Sequence, residues 1–304
     1  MNNVDTNLLK TISGHTEYEG AYNIRKNGKC IDRKVSDNVN IVSKTDVSGI
    51  DIIVKENTKI CVVDIPVILT QSGMTDVVYN DFYIGKNSFA IIMAGCGIHN
   101  DDCKSSQHDG IHRFYLEEGA RVKYVENHYG EGNGEGKRIL NPTTEVYLKA
   151  NSTLEMYTTQ IKGVDSTKRL TKGKLGENCK LIINEKIYTH SDQFAQTKFD
   201  VKLNGKKSSV KVTSRSVATE NSKQEFISKV VGNSNCFGHV ECDAIIKDNG
   251  KVTSTPTIVA NDSDAELIHE ATIGKIAGDQ LKKLMTLGLT AKEAEDKIIK
   301  GFLK

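Results

Sequence analysis

One short word recurs eight times between residues 54 and 252, and it limits the folds open to this chain. An apolar residue is followed by three or four mostly polar ones including Asn or Gly, then by a return to apolar. It reads Val54-Lys-Glu-Asn-Thr-Lys-Ile60, Ile84-Gly-Lys-Asn-Ser-Phe-Ala90, Leu116-Glu-Glu-Gly-Ala-Arg-Val122 and Leu148-Lys-Ala-Asn-Ser-Thr-Leu154. Leu175-Gly-Glu-Asn-Cys-Lys-Leu181, Leu203-Asn-Gly-Lys-Lys-Ser-Ser-Val210, Val231-Gly-Asn-Ser-Asn-Cys-Phe237 and Ile246-Lys-Asp-Asn-Gly-Lys-Val252 complete the series. Starts fall roughly thirty residues apart, with a final half step, and a period of about 20–50 residues marks stacked architectures. Each word reads as strand, tight turn and strand, with Asn or Gly where the backbone needs positive φ. The gaps alternate with period two, as in Glu155-Met-Tyr-Thr-Thr-Gln-Ile161 and Val210-Lys-Val-Thr-Ser-Arg-Ser216, so helices do not separate the strands. The expected class is mainly β, a β-helix or β-solenoid core, with a two-sheet sandwich as the competing arrangement. Residues 1–40 form an N-terminal segment, 41–260 the core and 261–304 a helical C-terminal segment.

A chain of 304 residues with 38% hydrophobic content can bury a sizeable core. Its 41 basic and 39 acidic side chains give no basic stripe, so no nucleic-acid partner is expected. No run of 18 apolar residues occurs, so no membrane span is expected, and the first residues lack a signal-peptide pattern. A cytoplasmic location follows as the expectation. There, seven cysteines read as reduced thiols or metal ligands, and no C-x-x-C pair is present.

Three groups of residues carry possible chemistry. The densest is Gly95-Cys-Gly-Ile-His-Asn-Asp-Asp-Cys103 with His108-Asp-Gly-Ile-His112 and Glu126-Asn-His128. Thiolate and imidazole together suit zinc, ferrous iron or iron–sulfur clusters rather than magnesium or calcium. In a stacked coil, Cys96 and His99 would lie near Glu126 and His128, with His112 close by; the plainer reading has these residues capping polar turns. The second group is Cys236-Phe-Gly-His-Val-Glu-Cys242. Cys236 falls one place beyond the small turn position held by Ser88, Ala120 and Cys179. Cys242 lies on the opposite strand face from His239 and Glu241, as a sulfur acceptor, a cluster ligand or inert core. The third is His269-Glu270, whose bland reading is a carboxylate favoured at a helix start. Gly130-Glu-Gly-Asn-Gly-Glu-Gly-Lys-Arg138 misses the P-loop pattern, and no G-x-S-x-G element occurs.

Two short helices end the chain. Leu281, Leu284 and Met285 stand at helical spacing, with Asp279 as a candidate cap and Gly288 as a stop. Thr290-Ala-Lys-Glu293 is a capping box ahead of Ala294, Ile298 and Ile299. Helices this short need something to dock on, either the exposed last coil or a partner.

The run His269-Glu-Ala-Thr-Ile-Gly-Lys-Ile-Ala-Gly-Asp-Gln-Leu281, followed by Met285-Thr-Leu-Gly-Leu-Thr-Ala-Lys-Glu-Ala294 and Gly301-Phe-Leu303, resembles the C-terminus of the SufB/SufD family. That family supplies scaffold subunits for Suf iron–sulfur cluster assembly. The resemblance implies a right-handed parallel β-helix flanked by short helical segments. It also implies a transient iron–sulfur cluster, expected as 4Fe–4S, built from iron and a sulfur donor. Its partners would be a SufC-type ABC ATPase and a second chain of the same type, paired as a homodimer through the β-helices. ATP-driven movement would reshape the cluster site, and the chain itself would be no enzyme. The cluster candidates are Cys242, His269 and Glu270, then Cys96, His99, His112 and His128. The ATPase would meet Leu281, Leu284, Met285, Leu287 and Leu289. A subunit that only docks the ATPase, or a β-helix carbohydrate-active enzyme, are the alternative readings.

Overall fold

The computed structural model describes residues 2–14 and 17–304 (Lys162 by its backbone only). Helix α1 (Asn3–Ser13) opens on an Asn2–Asp5 capping box. Strands β1 (Ala21–Lys26) and β2 (Lys29–Lys34) form one antiparallel hairpin, and β3 (Val39–Ser43) and β4 (Gly49–Val54) a second. From there the strands alternate between two sheets: β5 (Cys61–Leu69), β6 (Thr75–Ile84), β7 (Phe89–His99), β8 (Ser106–Leu116) and β9 (Arg121–Glu131). One rung is divided at Asn141-Pro142 into β10 (Arg138–Leu140) and β11 (Thr143–Leu148), because proline brings no N–H to the ladder. The stack continues with β12 (Thr153–Lys162), β13 (Ser166–Leu175), β14 (Lys180–Thr189), β15 (Phe194–Leu203) and β16 (Ser209–Ala218). It ends with β17 (Lys223–Gly232), β18 (Phe237–Ile246), β19 (Lys251–Ala260) and β20 (Glu266–Gly274), ahead of α2 (Gly278–Met285) and α3 (Ala291–Phe302).

All strand pairs beyond the two hairpins are parallel, giving a β-solenoid of about eight turns. From β4 onward register offsets run from 27 residues (Thr153 to Lys180) to 32 (Arg121 to Thr153), with 33 past the irregularity before Lys162, whereas β1 pairs with β5 at an offset of 42 (Ala21 to Val63). The recurring word forms the turns as its composition requires: Asn57, Asn87, Asn151 and Asn178 take positive φ, and Gly119 does so in the same role. Where the word carries an extra residue, Lys207 rather than Asn204 or Gly205 adopts it, and no described residue of the Val231–Phe237 turn does. On the exposed side of the turns, Asn178 donates to Asn151 and Asn261 to Asn233, so amides stack coil on coil. A buried small residue closes each turn (Thr58, Ser88, Ala120, Ser152, Cys179, Ser208), and Cys236 takes this place itself rather than one beyond it: its carbonyl receives Glu266 N–H as the Cys179 carbonyl receives that of Ser209.

Inward positions fill the interior with Val, Ile, Leu and Phe, and alternation sends intervening residues to solvent. The last rungs differ. Strands β19 and β20 are largely exposed, α2 has no buried residue and α3 buries only Ala294, so the helices leave the last coil open. The expectation that they cover it fails: α2 and α3 lie against each other, and α3 meets the stack through Lys247 Nζ, 3.0 Å from Glu295 Oε2. Asp279 lies inside the first turn of α2 and does not cap it, whereas the Thr290–Glu293 box forms.

Candidate functional site

The interior is not apolar throughout. On β8, inward alternation presents His108, Gly110 and His112, and on β9 Tyr124, Glu126 and His128. Parallel register sets Cys96 beside His128 and Ala94 beside Glu126. Cys96, His108, His112, Glu126 and His128 line one cavity of about 20 Å³, room for a single water. His108 Nδ1 lies 3.1 Å from Asp76 Oδ2, and Asp76 also takes both Nε and Nη2 of Arg25. Tyr124 OH donates to Glu126 Oε1 at 3.0 Å, so the 2.7 Å contact with His112 Nδ1 has the imidazole donating. With Nδ1 donating, His112 keeps its lone pair on Nε2, which Asn80 Nδ2 approaches at 3.4 Å. The Nε2 atoms of His108 and His112 converge on Gly110, where a Cβ would stand 3.4 and 3.2 Å from them respectively.

Burial sets the charge states. It pushes His112 down to about 4, and lowers His128 despite Glu126. Burial, with the negative charges of Asp76 and Glu126, drives the Cys96 thiol well above its usual value. Burial alone would raise Glu126 too, but Arg169 and the histidines hold its carboxyl well below the usual range. The site is therefore a thiol with His112 and His128 neutral beside a buried ion pair. Behind Cys96 lies α1. Gly95 and Gly97 face outward, where a Cβ would come within 2.9 Å of Ile12 Cβ and 3.2 Å of Leu8 Cδ2, so the Gly-Cys-Gly run lets the helix seat directly on the sheet.

A second group occupies the open end. From Glu126 the register runs through Thr158, Glu185 and Ser214 to Cys242 and Ala271. Cys242 is buried, and burial pushes its thiol up to about 11 against a smaller pull from the Ser254 hydroxyl. His269 pairs with Val240, one rung and two residues from Cys242, roughly 8 Å between Cα atoms by strand geometry. Both of its ring nitrogens are buried with no hydrogen-bond partner, and burial lowers its pKa, favouring the neutral ring. Glu270 points to the opposite face, where its Oε2 meets His239 Nε2 at 3.2 Å.

A family model described as the SUF system FeS cluster assembly, SufBD core domain, matches residues 68–302. The chain belongs to the SufBD family. It is similar to an iron–sulfur cluster assembly SufBD family protein of Methanocaldococcus jannaschii, 27% identical over 237 residues, which are 77% of this chain and 74% of that protein. One from Pyrococcus horikoshii is 30% identical over 240 residues, 77% of this chain and 71% of that protein. Another, from Methanothermobacter thermautotrophicus, is 28% identical over 223 residues, 72% of this chain and 53% of that protein.

In this SufBD-family chain the candidate residues fall into separate places. Cys96, His112 and His128 share a cavity; Cys242 and His269 share the open end. Five rungs part Cys96 from the coil of Cys242, about 24 Å at 4.8 Å per rung, so the two thiols cannot hold one cluster. His99 does not join Cys96: it stacks on Glu131 and faces outward, held by Asp101 at 2.8 Å and Glu131 at 3.2 Å. His269-Glu270 is mid-strand rather than at a helix start, which is why the two diverge. Among the described residues no group of three or more His, Cys, Asp and Glu side chains is gathered closely enough to hold a metal ion. Arg169, Glu185 and Asp76 escaped the sequence reading, since nothing local links them to the cysteines; His108 stood in the dense Cys/His group of the sequence and lines the same cavity. Of the C-terminal apolar residues, Leu281, Leu284 and Leu289 are half-buried, while Met285 is 44% and Leu287 75% exposed. No helix of the described residues is long and apolar enough to cross a membrane.

Proposed function

We propose that this SufBD-family chain is a scaffold on which an iron–sulfur cluster, its cargo, is built at the open end of the solenoid. The observation that carries this reading is His269, whose two ring nitrogens are buried and unpartnered beside the Cys242 column. An unmet buried polar group is costly, and a bound metal centre would satisfy it. Thiolate with neutral imidazole is a donor set that iron–sulfur centres accept. One chain offers two such ligands, and a cluster of 4Fe–4S type takes four. A second copy meeting the exposed β19 and β20 edges would bring two more, which supports a homodimer. Binding would deprotonate Cys242, so assembly would release a proton and weaken as pH falls. The exposed Met285 and Leu287, with Leu281, Leu284 and Leu289, would receive a SufC-type ABC ATPase, whose ATP-driven movement would open the last rungs to iron and the sulfur donor in the cytoplasm. Glu270 would act through His239 rather than as a ligand.

Anaerobic reconstitution with iron and sulfide, read by absorbance and iron content, tests this. A cluster in the parent and in Cys96→Ser, lost in Cys242→Ser and His269→Ala, is expected. Clusters retained in both latter variants would sink the ligand assignment. The low exposure and high pKa of Cys242 favour a second reading, a subunit that only docks the ATPase; no cluster in any condition, with the ATPase still bound, would establish it.

A further inference from the structure

At the opposite end, the two antiparallel hairpins enclose a cavity of about 210 Å³. Three cations line it, Arg25, Arg33 and Lys44, and no carboxylate does. Asn23, Ser43, Ser48 and Asn80 contribute amide and hydroxyl groups. The acidic partners stand outside the lining: Asp76 takes Nε and Nη2 of Arg25, and Lys44 pairs with Asp51 and, at 2.8 Å, with Asp81. Those pairs hold the cations in place and still leave donors unspent. Arg25 Nη1 has no bond among the described residues, and Lys44 Nζ retains a proton beyond its two partners. The Arg33 guanidinium meets no carboxylate among the described residues, the Asp32 carboxylate taking only its backbone N–H. Its Nε donates to Asn23 Oδ1 at 2.8 Å, its Nη1 to the Ile41 carbonyl at 3.4 Å and its Nη2 to Ser43 Oγ at 3.0 Å.

A fixed guanidinium fork, a half-buried ammonium and hydroxyls around a concave space are the groups that bind tetrahedral oxyanions. We propose that this cavity binds a phosphate group, as free phosphate or as a small phosphate monoester. Its volume lies below the ~300–1,000 Å³ of drug-sized sites, so the group carried with the phosphate is small. Apart from Val78 and Asn80 the lining precedes residue 68, where the family match begins, and the cavity lies at the other end of the stack from Cys242 and His269, so the proposal does not rest on the cluster chemistry above.

The test is titration calorimetry of the full chain with inorganic phosphate and with glycerol phosphate, against chloride at matched ionic strength. Saturable binding of either phosphate, at least tenfold weaker in Arg33→Gln, is expected. Ser43→Ala, which keeps every charge, should weaken it several-fold without unfolding the chain, and Arg121→Gln on the outer surface should leave it unchanged. Tighter glycerol phosphate would assign an ester, tighter inorganic phosphate the free ion. No heat beyond that of chloride in the folded parent, or equal affinity in Arg33→Gln and Ser43→Ala, would overturn the proposal.

Discussion

Arg169 Nη1 lies 2.6 Å from Glu126 Oε2 with both side chains buried, and Arg169 Nε stands 3.5 Å from Glu185 Oε1. One guanidinium thus serves two interior carboxylates of the opposing sheet, two rungs apart with Thr158 on the rung between them. Thr197 and Ser214 hydroxyls complete the second, each 3.0 Å from a Glu185 oxygen.

Removing that guanidinium should be severe. Arg169→Leu strands Glu126 and Glu185 in the interior, and breaking a buried pair costs about 3–5 kcal/mol. Urea denaturation should show the loss, and adding Glu126→Gln to the same chain should restore part of it. Equal stability of parent and Arg169→Leu would show that water reaches the pair.

Acid should act through His112. Its folded pKa, about 4, lies below the ordinary 6.5, so between those values the unfolded chain binds a proton that the folded chain refuses. Stability therefore rises with pH from about 4 to 6.5 and is fully present above that. Full development would be worth roughly 3 kcal/mol at 1.36 kcal/mol per unit. His112→Gln should flatten that limb of a stability–pH curve, and an unchanged slope would assign it elsewhere.

The seat of α1 depends on missing side chains. Gly95→Val would drive a methyl into Ile12 and lift the helix, which Asn127 otherwise ties by donating 2.9 Å to the Ile12 carbonyl. Hydrogen exchange should quicken over residues 3–13 while the strands from β12 onward stay protected. Protection of α1 in that variant would show that it seats on other contacts.

Much of this was legible beforehand, and the boundary is physical. The Asn and Gly turns announced the solenoid because positive φ is a local demand that few residues meet. The pairing of Cys96 with His128 followed from a period near thirty. The side on which His99 and Glu270 fall needed the strand phase, and one residue of phase reverses a face. Arg169 was out of reach, since it meets Glu126 across the interior, 43 positions away in sequence. Helical punctuation after Gly278 also drew attention from β20, which carries His269 in a strand.

Leu287→Asp tests the C-terminal surface. At 75% exposure the leucine contributes little to folding, so thermal stability should hold while affinity for a SufC-type ATPase falls at least tenfold. A stability loss with binding intact would place Leu287 in the fold.

Thiol labelling should separate the cysteines in time. Cys30 and Cys103 are exposed and should react with Ellman's reagent first; Cys96, Cys179, Cys236 and Cys242 should wait for unfolding. Early reaction of Cys242 alone would reveal spontaneous opening of the last rungs.

The two ends of the stack are chemically unequal, and this bears on stoichiometry. The terminal β19 and β20 present parallel edges ready to accept another strand, whereas β2 presents Lys29, Asp32, Arg33 and Lys34 on a short hairpin. Endless head-to-tail growth would require each tail to find a receptive head. If copies of this chain meet at the β19 and β20 end, they face each other and exhaust that edge, so such an association would terminate at a closed pair instead of running on into a fibre.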